Sequence, residues 1–220
     1  MDSSTPQEPG FSLSKEAFCR YCRLLYERRL TAGGGGNAAA RCGDRIWLTP
    51  TGRSLRDLCP EQIAVADRQG GLINGEAPTK EAGMHMAILE KRPDINVIFH
   101  VHGAWLIAAS TLLDPGPSSL PALTPGFVHC AFPLPMLPFL VPGSRDLGAA
   151  VAETFSSPKV CAVLLQNHGL VTVGKDFCEA LNIAEEIDEA ARVLVLTRGK
   201  GRSISPVHIR DIQCIRGTDS

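Results

Sequence analysis

The order of apolar and polar positions divides the chain into elements. Ser14 stands before "KEAFCRYCRLLYERRL", where Phe18, Cys22 and Leu25 recur on one face, which predicts an N-capped amphipathic helix. In the following "TAGGGGNAAARCGDRIWLTPTG", the glycine-rich "GGGGNAAA" reads as a loop, and "RIWLT" as a strand that stops at Pro50. "EQIAVADRQGGLINGEAP" alternates about Gly70 and Gly71, the pattern of a hairpin. A second helix is expected from Thr79 through "KEAGMHMAILEKR", with Met84, Ile88 and Leu89 inward and Pro93 closing it. "INVIFHVH" follows as a buried strand, then "AWLIAASTLL" as an apolar helix ending near Asp114. "PGPSSLPALTPG" reads as an irregular connection and "RDLGAAVAETF" as a further helix. "VCAVLL" and "GLVTVG" are strands on either side of "QNH". Finally, Phe177, Leu181, Ala184, Ile187, Ala191 and Leu194 follow helical spacing, with acids on the opposite face.

Strands and helices are interspersed, with neither an internal repeat nor a linker between two cores. The expectation is one α/β domain over residues 14–199 with helices covering a sheet. The hairpin means that the sheet is not wholly parallel. Residues 1–13 are expected to form a flexible arm, and residues 200–220 a polar tail in which His208 has no clear role.

Composition narrows the function classes. The chain has 220 residues, enough for a sizeable core, and a formal net charge of −1. That balance gives no electrostatic case for nucleic acid or an anionic membrane. No apolar run approaches the roughly 18 residues of a spanning helix. The polar N-terminus "MDSSTPQEPGFS" does not resemble a secretory signal, so a cytoplasmic setting is expected. The eight cysteines are then expected to be reduced and mostly buried. Cys19 and Cys22 form a C-x-x-C, but inside a helical pattern with no second pair nearby, so they read as helix core.

Three constellations carry candidate chemistry. His100 and His102 share one face of a strand just where its apolar run ends. Alone, the pair fits solvated strand-end histidines as well as metal ligands. His168, in "QNHG", ends another apolar strand and raises the metal reading, because three neutral imidazoles suit Zn²⁺ or a related ion with a position left open. "GGGGNAAA" with "TPTG" offers backbone N–H groups for an anion, with Asn37 and Thr51 as added donors, though alone it reads as a flexible loop. Glu81 falls in the first turn of a predicted helix, where an acid is often merely a dipole partner, and His85 lies one turn further on.

Taken in order, Gly-Gly-Asn, Thr-Pro-Thr-Gly, an acid before a helix, "RPDINVIFHVH" and "LLQNHG" resemble the class II aldolase/adducin family across about residues 15–198. The resemblance implies an α/β fold, a three-layer α/β/α sandwich around a mixed, largely antiparallel sheet. It implies that His100, His102 and His168 bind Zn²⁺ (or Mn²⁺ or Co²⁺) and that Glu81 is the general base. Gly36 and Asn37, Thr51 and Gly52, and Thr79 with Lys80 match the segments that hold the substrate phosphate. It implies a homotetramer with sites at subunit boundaries, acting on a small phosphorylated sugar or sugar acid through a metal-stabilised enediolate.

The reaction would be aldol cleavage of the fuculose-phosphate type or decarboxylation of a 3-oxo-tetronate 4-phosphate. An epimerase or dehydratase, or a non-catalytic adducin-like interaction module, are the alternatives. Family aldolases use tyrosines from a neighbouring subunit, but this chain has only Tyr21 and Tyr26, both in the first helix. His129, in "LPALTPGFVHCAF", is a candidate substitute acid/base or an ordinary loop histidine. "PTKEA", "LPALTP" and "PLPMLPFLVPGS" are closer to the decarboxylating branch.

Overall fold

The computed structural model describes residues 13–215. The expected arm lies outside the described residues apart from Leu13, as does the tail from residue 216. Among these residues, eight strands form one sheet: β1 (Asn37–Cys42), β2 (Arg45–Leu48), β3 (Ala64–Ala66), β4 (Leu72–Asn74), β5 (Val97–Val101), β6 (Met136–Leu137), β7 (Ala162–Leu165) and β8 (Gly169–Gly174). Their spatial order is β4-β3-β2-β1-β5-β8-β7-β6. Every neighbouring pair is antiparallel except β6 with β7. The hairpin expected around Gly70 and Gly71 is β3–β4.

Among the described residues, seven α-helices surround the sheet: α1 (Lys15–Glu27), α2 (Ala82–Lys91), α3 (Ala104–Ser110), α4 (Pro125–Ala131), α5 (Arg145–Thr154), α6 (Phe177–Leu196) and α7 (Pro206–Ile215). The pleat of β5 explains the layering, since alternate residues face opposite ways. Val97, Phe99 and Val101 join a core cluster with Phe18, Leu106, Phe127 and Ile187 from α1, α3, α4 and α6. Ile98 joins a second cluster with Ile88 of α2 and Val151 of α5. The expected three-layer sandwich with a largely antiparallel sheet is what forms. Phe177 ties the first layer together: its ring lies 5.2 Å from Tyr21 and 6.4 Å from Phe99. Ser14 caps α1, its Oγ accepting from the Ala17 N–H at 3.1 Å. Burial pushes the Cys19 thiol up to about 11 and raises that of Cys22 well above its usual value, as expected of helix core.

Several elements differ from the sequence pattern. β1 was expected as loop; its Ala-Ala-Ala run has poor strand propensity, but pairing with β2 and β5 on both sides overrides that. α2 begins at Ala82, so Glu81 is its N-cap residue and its side chain makes no cap bond. α3 stops at Ser110, short of Asp114, where the hydroxyls of Ser110 and Thr111 take the carbonyls of Ile107 and Ala108. α4 condenses from the irregular Pro-rich connection, with Pro125 in its first turn. β6 is a two-residue strand between Pro135 and Pro138 at the edge of the sheet, paired with β7 on one side and bridged by Gly116 on the other. α7 arises within the tail, where Gln213 donates to the Phe132 carbonyl at 3.1 Å.

Candidate metal centre and substrate cleft

Three local devices bring the histidines together. β5 delivers His100 on the sheet face of Ile98, and His102 follows two residues later on the same side. The β7–β8 hairpin turns through Gln166, Asn167 and His168. Asn167 takes the left-handed conformation (φ 58°), and its N–H donates to Ser110 Oγ at 2.9 Å. Gly169 (φ 155°) packs against the end of β5: a Cβ there would stand 2.1 Å from the Val101 carbonyl oxygen. Only glycine lets the turn approach closely enough to place His168 beside the pair.

The ring nitrogens converge. His100 Nε2 lies 2.9 Å from His102 Nε2 and 3.3 Å from His168 Nε2. Glu81 Oε2 lies 3.2 Å from the same His100 nitrogen. One ligand atom from each histidine falls within 4.8 Å of the others. Tetrahedral zinc with bonds of about 2.0–2.1 Å separates its ligand atoms by about 3.3 Å. His100 Nδ1 donates to the Leu170 carbonyl at 3.1 Å, which turns its Nε2 toward the cluster. Glu81 Oε1 is buried with no hydrogen-bond partner, as a carboxylate oxygen facing a cation would be. The donor set therefore fits a divalent ion, with His100, His102 and His168 as the residues that could hold it.

Protonation agrees with that fit. Burial pushes His102 down to about 3 and His168 to about 4, and positive charge at His100 adds to both shifts. Both are neutral at pH 7, the form that binds metal. Burial alone would raise the Glu81 carboxyl. Hydrogen bonding and charge from His100, then the Asn37 amide, outweigh it and hold that carboxyl well below the usual range.

A cleft of about 450 Å³ opens beside the cluster. Its walls carry every residue expected on the anion side: Gly36, Asn37, Thr51, Gly52, Thr79 and Lys80, with Glu81, His102 and His168 at its inner end. Gly36 takes a left-handed conformation (φ 76°), and a Cβ there would press on His100 and Thr31. Asn37 is mostly committed inward: its Nδ2 donates to Glu81 Oε2 at 2.7 Å, and its Oδ1 meets His85 Nε2 at 2.5 Å. Asn37 thus links Glu81 to His85, one helical turn further on.

His129 is not brought to this cleft within its own chain. It is exposed on α4, beside a groove with Asp176, Glu179 and Glu186. Neither tyrosine lines the cleft: Tyr21 is in the core, and Tyr26 lies 5.5 Å from the Arg56 guanidinium. Sequence reasoning overlooked Arg53, which lines the cleft and pairs with Glu76 through two bonds of 2.8 and 2.9 Å. Its position directly after Thr-Pro-Thr-Gly was the available signal.

Fold and site together define a mixed α/β enzyme with a three-histidine cluster at the inner end of a cleft lined by glycine loops, Thr51, Thr79 and Lys80. The family model described as Class II Aldolase and Adducin N-terminal domain matches residues 16–195, and the chain belongs to that family. It is an enzyme of the class II aldolase type. A 3-oxo-tetronate 4-phosphate decarboxylase from Haemophilus influenzae is 35% identical over 203 residues, covering 90% of this chain and 95% of that protein. An L-fuculose phosphate aldolase from Methanococcus maripaludis is 36% identical over 176 residues, covering 80% and 93%. Among solved structures, an L-fuculose 1-phosphate aldolase superposes with a TM-score of 0.82 at 25% identity, covering 93% of this chain and 96% of that one.

Proposed function

We propose that this protein is a divalent-metal-dependent carbon–carbon lyase acting on a small phosphorylated sugar acid, with zinc as the first candidate ion. The observation that carries the reading is the convergence of three imidazole nitrogens and the Glu81 carboxylate at the inner end of the cleft. A divalent ion held by His100, His102 and His168 would supply a Lewis acid that stabilises the negative charge left on substrate oxygens when the carbon–carbon bond breaks.

The chain's own groups do the rest. Glu81, ionised and within 3.2 Å of the cluster, moves the proton to or from the substrate. Lys80 and the backbone N–H groups of the Gly36 and Thr51 loops anchor the phosphate and fix the reacting carbon over the histidines. His100 is fully buried beneath the cleft, which shields that side of the centre from water.

Decarboxylation of a 3-oxo-tetronate 4-phosphate is the reaction the cleft favours. Lys80 lines it, which suits the anionic groups of a phosphorylated sugar acid, and the chain supplies no tyrosine there for an aldol step. The relative matched over the larger share of the chain is also a decarboxylase of that kind. The tetramer that the family resemblance implies belongs to the same proposal and is checked by light scattering.

The test has two parts. Protein purified without chelator should carry about one divalent ion per chain, and a His100→Ala/His102→Ala variant should carry none. The metal-loaded protein should release CO₂ from 3-oxo-tetronate 4-phosphates faster than it cleaves fuculose 1-phosphate. Full metal content in the double variant would sink the metal assignment, and aldol cleavage alone would sink the choice of reaction.

A further inference from the structure

His85 is the one fully buried histidine outside the cluster, and the functional reading leaves it unused. It sits on α2 one turn after Glu81 and faces the sheet rather than the cleft. Its contacts set a direction of hydrogen bonding. An ionised carboxylate only accepts, so the group of Asn37 that faces Glu81 Oε2 at 2.7 Å must be the N–H₂. The Asn37 oxygen is then turned toward His85 Nε2, 2.5 Å away. An oxygen at that distance from a ring nitrogen requires an N–H there, since two lone pairs would repel. The His85 proton therefore sits on Nε2. Its Nδ1 is left as a buried acceptor with no partner. A histidine placed only to fill space would be expected to satisfy its polar atoms; this one leaves one bond unmade while making the other.

Asn37 lies on β1 directly opposite His100 on β5. Its amide thus joins the first turn of α2 to the sheet at the level of the three histidines. If the amide rotated by half a turn, its oxygen would face Glu81 and repel the carboxylate. His85 prevents that rotation by offering a donor that only the amide oxygen can accept.

We infer that His85 is a positioning residue: through Asn37 it orients the Glu81 carboxylate toward the substrate side of the histidine cluster. This rests on the reading of Glu81 as the proton-transfer group. His85 touches neither substrate nor the cluster, and its effect passes along the line His85 to Asn37 to Glu81. Outer partners that orient a functional group are typically worth about 10–100-fold in activity.

The first test needs neither metal nor substrate. In metal-free protein with ¹⁵N-labelled histidine, the His85 resonance is identified by its loss in a His85→Gln variant. It should show the Nε2–H tautomer from pH 6 to 8, and an Nδ1–H tautomer would overturn the inference. The second test uses the metal-loaded enzyme. His85→Met keeps volume and removes the donor, whereas His85→Gln keeps an N–H near the Nε2 position. The expected outcome is a kcat lower by about 10–100-fold in His85→Met with KM within about 3-fold, and recovery to within about 5-fold of wild type in His85→Gln. Equal losses in both variants would mean that the side chain only packs, and the inference would fall. Should His85→Met not fold, the tautomer measured on the native protein still decides. Unchanged turnover in Glu81→Gln would overturn the reading of Glu81 itself, and the tautomer result tells the two failures apart.

Discussion

The two ends of the cleft are built on opposite principles. The inner end is sheet: His100 is fully buried on β5, its ring is tethered to the Leu170 carbonyl, and Glu81 is held by Asn37. The outer end is loop: Gly34, Thr51, Gly52, Arg53 and Lys80 are exposed, and nothing lies within 4 Å of where a Gly34 or Gly52 Cβ would stand. The inner groups are placed before any ligand arrives. The outer groups stand on loops open to solvent. The difference teaches where rigidity is needed, because the proton-transfer geometry tolerates little displacement, whereas an anion can be met by several adaptable donors.

That contrast can be tested by substitution at each end. The largest expected effect is at the inner end: Glu81→Gln keeps the shape but removes the base, and kcat should fall by about 10²–10⁴-fold with metal content unchanged. Steady-state kinetics beside metal analysis checks this. Next is a matched pair of glycines. Gly169→Ala forces a Cβ against the Val101 carbonyl at a left-handed φ, and should cost roughly 2–4 kcal/mol of stability. Gly34→Ala, in open space, should cost less than about 0.5 kcal/mol. Denaturant titrations of the two variants compare them directly, and equal costs would break the distinction between the ends.

A smaller effect is expected at the outer end. Lys80→Ala removes one cation from the cleft wall and should raise KM by about 10–100-fold while changing kcat much less. A kcat loss larger than the KM change would place Lys80 in the chemistry instead. A separate effect is on pH. Burial holds His85 and His102 at about 3 and His168 at about 4 in the folded chain, against about 6.5 when unfolded. Between those values the unfolded chain binds more protons, so their contribution is complete above about pH 6.5 and is lost as pH falls. The metal-free protein should lose about 1 kcal/mol per histidine per pH unit below that, read as a falling Tm from pH 7 to pH 5.

The amino-acid sequence by itself determined the three-histidine set, the acid at Glu81, the order of the anion-side loops, the main helices and the hairpin. Each depends on local pattern: a period of two or 3.6, a cap, a glycine turn, or a motif read in chain order. It also implied the family and its sandwich. Only the tertiary structure decided the features that depend on neighbours distant in sequence. The Ala-Ala-Ala run of β1 is a strand because β2 and β5 pair with it on both sides, which no local propensity reports. α4 and β6 exist because the Pro-rich connection packs onto helices and an open sheet edge. His129 lines a different groove from the cleft of its own chain although the sequence made it a candidate. Asn37 reads locally as an anion donor, and only the register of β1 against β5 and the packing of α2 turn its amide inward between His85 and Glu81. Ligand types are local chemistry and are legible in a string of letters. The direction in which a side chain spends its hydrogen bonds is set by what the fold places opposite it.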